Sequence, residues 1–115
     1  MRPGEVKHHR SEFLKVLKAE FPGVREAINA EGGLLHFEMD AFRKYVQRAI
    51  SQRNEEVVLR AFGLALQTYR VGDAKLKDAV DVSFVEPMDF CPWAWELLPE
   101  DLKDLYVQFH GKSGA

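Results

Sequence analysis

Apolar residues recur along this chain at helical spacing, and Gly, Pro and short polar runs interrupt them. Phe13, Leu14, Leu17 and Phe21 make one stripe, which predicts a helix from about residue 10 to 21. Pro22 breaks it and can open a second piece at its first turn, with Val24, Ala27 and Ile28 on the apolar side. Glu31-Gly32-Gly33 ends that piece with a glycine suited to a left-handed cap. From about 38 to 52, Phe42, Tyr45, Val46, Ala49 and Ile50 form a buried face opposite Arg43, Lys44, Gln47, Arg48 and Gln52.

Ser51-Gln52-Arg53-Asn54 is a short polar connection that suits an antiparallel neighbour. Asn54 is a good N-cap, and Glu55-Glu56 follow where the helix dipole favours negative charge. The helix extends to about residue 70. Val58, Ala61, Phe62, Ala65, Leu66 and Tyr69 form its stripe, which Leu59, Gly63 and Leu64 widen to most of the circumference. That pattern predicts a central helix packed on two sides, with Gly63 admitting a close neighbour. Gly72 stops it and Asp73 can cap the next helix, which runs to about 85. Val80-Asp81-Val82-Ser83-Phe84 also alternates like a strand, but a lone strand has no partner in this chain, which favours helix. The segment 86–95 is the least regular. Pro92 and Pro99 each sit where a helix can begin, and Leu102, Leu105, Tyr106 and Phe109 stripe the last helix, stopped by Gly111.

The elements add up to one all-α domain over 1–115 with about six helices and no Gly/Ser linker. Two arrangements compete: a compact orthogonal bundle and a short right-handed superhelix of stacked helix hairpins. The ends, 1–9 and 111–115, are expected to be mobile.

Composition narrows the class. The formal net charge of −2 fits neither a polycation nor an acidic disordered tail. The single Cys91 excludes an internal disulfide. The charged start Met1-Arg2-Pro3-Gly4-Glu5 carries no export signal, and no apolar run approaches a membrane span. Cytoplasmic localisation and no membrane partner are the expectations. Near-neutrality also conceals an asymmetry. Residues 1–71 hold twelve Lys+Arg and nine Asp+Glu, whereas residues 72–105 hold three and nine.

Asn54-Glu55-Glu56-Val57 through Ala65, Ala79-Val80-Asp81-Val82-Ser83-Phe84-Val85-Glu86, Trp95 and Leu98-Pro99-Glu100-Asp101-Leu102 together resemble a small bacterial family of uncharacterised helical proteins. The likeness spans about residues 36–106. It implies an armadillo/HEAT-like fold and a binding role, sometimes in toxin–immunity neighbourhoods, and it carries no catalytic residues.

Candidate chemistry is sparse. His36 and Asp40 stand four apart with Glu38 between them, but zinc needs three or four ligands, so no metal and no cofactor are expected. A solvated first turn explains these residues. Cys91 precedes a possible helix start, which can activate a thiol, yet Glu86 and Asp89 nearby oppose the thiolate. Arg43, Lys44, Arg48, Arg53 and Arg60 are the best basic cluster, but no aromatic residues interleave with them for base stacking, so nucleic acid is not the expected partner. The most suggestive stretch is Met88, Asp89, Phe90, Trp93, Trp95 and Glu96, in which aromatic and thioether groups are rimmed by acids.

These observations predict a non-enzymatic protein–protein interaction module whose partner surface lies at the acidic segment 86–104. The partner is expected to be a protein, and a basic one. An immunity-type protein neutralising a basic toxin is a sharper version. A small enzyme using Cys91 or the His36/Asp40 pair is the alternative from another class.

Overall fold

The computed structural model describes residues 7–115. Among them are seven α-helices and no strand. Helix α1 is Arg10–Glu20. A 3-10 turn at Pro22–Val24 leads into α2, Arg25–Asn29. The long pair α3 (Leu35–Ser51) and α4 (Glu55–Val71) forms an antiparallel hairpin. Helix α5, Ala74–Ala79, continues as a π-helical turn at Val80–Val85, and α6 (Pro92–Leu97) and α7 (Glu100–His110) follow.

The helix starts at Asn54 and Asp73 are capped by those side chains. The Asn54 carboxamide accepts from the Val57 N–H, and the Asp73 carboxylate accepts from Leu76 N–H at 2.9 Å. Gly111 closes α7 in the left-handed conformation that glycine adopts without steric cost. The segment 80–85 is helical, as its spacing predicts, but its register is wider. Glu86 N–H donates to Asp81 O, five residues back. That wider turn brings Val80 and the adjacent Phe84 and Val85 all into the core.

The core is one cluster strung on aromatic rings. Phe13 and Phe21 meet Phe42, and Phe42 lies 5.1 Å from Phe84. Phe62 joins Phe84 to Phe90, which carries the chain of rings on to Trp95 and Tyr106. Each such pair adds about 1 kcal/mol beyond the area it buries.

Several expectations need correction. Residues 1–6 lie outside the described residues, and mobility of the ends stays an expectation, but His8 and His9 make contacts with the turn between α4 and α5. His8 N–H donates to Val71 O and His8 O accepts from Asp73 N–H, both at 2.8 Å, and the His9 ring meets the Asp73 carboxylate. The 111–115 tail turns back so far that a β-carbon on Gly114 would fall 2.6 Å from a Trp95 ring carbon. Helix α4 packs against α3, α5, α6 and the π turn but leaves an outward face uncovered among the described residues. Leu59 is 55% exposed, and a β-carbon at Gly63 would meet nothing within 4 Å. The glycine costs about 1 kcal/mol of helix propensity with no neighbour among the described residues to offset it. Finally, Glu38 is not part of a solvated turn. It is 2% exposed and holds Arg10 through two hydrogen bonds of 2.7 and 2.6 Å. That geometry is the bidentate pairing that a buried carboxylate needs.

Candidate functional site

The irregular stretch between the π turn and α6 is fixed in place by a neutral clamp. Gln47 on α3 donates through Nε2 to Asp89 O at 2.7 Å, and its Oε1 accepts from Asp89 N–H at 2.9 Å. Its amide therefore satisfies both backbone groups of Asp89, as a neighbouring strand would. Pro92 then starts α6, where its missing N–H costs nothing.

Of the six residues that the sequence singles out, the structure sends two inward. Met88 and Phe90 are core residues, and of the two only Phe90 keeps a small exposed edge. Asp89 and Glu96 are exposed, and Trp93 and Trp95 are half-buried on different sides of α6. Trp95 joins Phe90 and Tyr106 in a triangle of edge-to-face rings with centroids 5.3 to 5.5 Å apart. The Lys103 ammonium and the tail at Gly114 also cover it.

Trp93 instead borders a groove of about 410 Å³ between the end of α3 and the loop, lined by Gln47, Ile50, Ser51, Arg53, Asp89, Phe90 and Cys91 as well. The Arg53 guanidinium stands 5.7 Å from the Trp93 ring centre. Arg53 reaches that position from an unusual backbone. Its φ is 53°, and it is the only non-glycine at positive φ among the described residues. The local hydrogen bonds explain the requirement. Asn54 N–H donates to Ala49 O and Arg53 N–H donates to Ile50 O. This is the paired closure of a helix C-terminus that calls for a left-handed residue, usually glycine, at the place Arg53 occupies. An L-residue other than glycine, asparagine or aspartate pays roughly 1 kcal/mol there. The sequence does carry a signal for this: a tight helix-to-helix link, 51–54, contains no glycine.

The other candidates are dispersed. His36 and Asp40 do not act together. The His36 ring meets Ser83 Oγ at 2.7 Å and the Asp78 carboxylate at 3.3 Å, while Asp40 holds Arg43 at 2.9 Å and Lys44 at 3.2 Å. Burial opposes ionisation of Asp40, but its two cationic partners outweigh that and hold its pKa below the ordinary value. Sequence spacing misses the Ser83–His36–Asp78 array, because the residues come from separate helices. Among the described residues no group of three or more His, Cys, Asp or Glu is placed to hold a metal ion.

The basic cluster does not form one free patch either. Arg43 and Lys44 are committed to Asp40, and Arg53 lies over Trp93. Arg60 lies over Phe21 and donates to Glu20 O at 3.2 Å. Arg48 is exposed and borders a separate polar cavity of about 260 Å³ with Tyr45 and Asn54.

Behind the loop, burial pushes the Asp81 and Glu86 carboxyls above their ordinary range, and their acidic neighbours add to the effect. His110 reaches the same turn, donating through Nε2 to Glu86 O at 2.8 Å while stacking on Tyr106. No helix among the described residues is long and apolar enough to cross a membrane.

Residues 14–111 match a family described as a domain of unknown function, DUF7674, and the chain belongs to that family. No curated protein and no solved structure matches the chain.

Proposed function

We propose that this family member is a non-enzymatic protein–protein interaction module. Its partner surface is the acidic, tryptophan-bearing segment 86–104, centred on the groove beside Trp93. One observation carries the reading: Arg53 occupies a strained left-handed position that places its guanidinium over the Trp93 ring, at the mouth of a groove. Backbone strain of this kind persists where the surroundings impose it, and it clusters at ligand clamps. A tryptophan and an arginine side by side are the residue types that dominate binding energy at interfaces.

The Gln47 clamp supports the same reading, because a surface held in shape before contact loses less entropy on binding. The partner is a basic protein. Asp89, Glu96 and Asp104 are exposed on this segment, and residues 72–105 hold nine acids against three bases. Neutralisation of a basic toxin is the sharper version of the same reading. Cytoplasmic localisation and an armadillo/HEAT-like relationship of the fold over about residues 36–106 belong to this proposal as well.

The test is affinity capture from native lysate with the wild-type chain and with a Trp93→Ala/Asp89→Lys variant that retains its helical circular dichroism. A basic protein recovered by the wild type and lost with the variant is the expected result. Equal recovery of every captured protein by both overturns the choice of surface.

A further inference from the structure

The outward face of α4 has no counterpart within the described chain, and its residues are arranged to complement themselves. Gly63 stands at the centre of that face, on the side opposite the buried Ala61, Ala65 and Thr68. A β-carbon there would meet nothing within 4 Å. Leu59, one turn before it, is 55% exposed, and Leu66, about one turn after it, is half-buried on the same side. Glu56 and Arg70 lie on the face at equal distances from Gly63, about two turns each way. The spacing 56, 59, 63, 66, 70 is that of a helix–helix seam.

We infer that a second copy of this chain docks here, its α4 antiparallel to the first about a two-fold axis through Gly63. In that register Glu56 lies level with Arg70 of the partner copy, once from each side, and Leu59 comes within one residue of level with Leu66 of the partner copy. The two glycines at the crossing let the backbones approach closely. An isologous interface requires a patch that complements itself, and the opposite charges at the two ends of this seam meet that requirement. The trough beside it, about 300 Å³ and bordered by Val16, Arg60, Gly63, Leu64 and Gln67, is the space that a partner copy would close. Arg70 is available for this, since its contact with Asp101 at 3.2 Å leaves its side chain 59% exposed. The seam uses neither Trp93 nor Trp95.

Sedimentation equilibrium of the full chain over a range of concentrations tests the inference. A reversible monomer–dimer equilibrium is expected for the wild type. Leu59→Glu should weaken it about a hundredfold, and Gly63→Gln should weaken it at least about tenfold. Gly63→Gln also separates docking from folding, because glutamine is the better helix former and meets open space. The dilute, monomeric variant should therefore melt higher than the wild type. Glu56→Arg should weaken the dimer, and adding Arg70→Glu should restore it. A chain that stays monomeric at every concentration overturns the inference. So does a dimer whose affinity Leu59→Glu and Gly63→Gln leave unchanged, and so does failure of the charge reversal to rescue.

Discussion

Trp95 and Trp93 stand two residues apart on α6 and face regions built in opposite ways. The Trp95 side is closed by rings on two sides, by Lys103 and by the returning tail. The Trp93 side is open: one ring, one arginine and a groove whose wall is held by the Gln47 amide. Helical geometry makes the division, since residues two apart point to different faces. What differs is how each side is secured. The closed side is secured by packing, which stabilises the fold, and the open side by polar contacts and a strained residue, which fix a shape. A pair that looks like one aromatic motif in the sequence is therefore two devices.

The largest expected effect breaks this comparison most simply. Trp95→Ala should cost about 3 kcal/mol of stability in urea unfolding, as truncations of large aromatic residues in packed surroundings do. Trp93→Ala should cost less than about 1 kcal/mol. Similar losses for the two would mean that the regions do not differ as described. Of intermediate size is Arg53→Gly. Glycine accepts a φ of 53° without steric cost, so the variant should be more stable by about 1 kcal/mol even though it loses the contact with Trp93.

The smallest effect concerns the acids behind the closed side. The Asp81 carboxyl has a raised pKa in the folded chain, so the unfolded chain ionises first as pH rises. Its stabilising contribution is full below the ordinary aspartate value of about 3.9 and is lost as pH rises through the folded value. Asp81→Asn should therefore stabilise the protein slightly at neutral pH, and the gain should vanish when melting is measured below the ordinary value.

Much of the fold is legible in local sequence. The stripes of α1, α3, α4 and α7 and the caps at Asn54 and Asp73 depend on residues within a turn or two of each other, which spacing reports directly. Three features are not legible, because each depends on what lies beside it in space and not in sequence. Glu38 reads as a first-turn acid until α1 brings Arg10 to it. The tail reads as a loose end until Gly114 lands on Trp95. The stripe of α4 reads as apolar all round because Leu59 and Gly63 carry no mark of which neighbours they have. Of the candidate site, the segment is legible but its sides are not. Met88 and Phe90 turn inward because the π turn and the Gln47 clamp set the direction of the chain entering α6. The role of Arg53 emerges only once its backbone is known.

The claim that the Trp93 groove is built for a partner is tested most directly by the affinity of the captured basic protein for the Arg53→Gly variant, titrated beside the wild type. Binding at least about tenfold weaker is expected from a chain that is itself more stable, because the strained arginine serves the surface and not the fold. Undiminished affinity in that stabilised variant would contradict it.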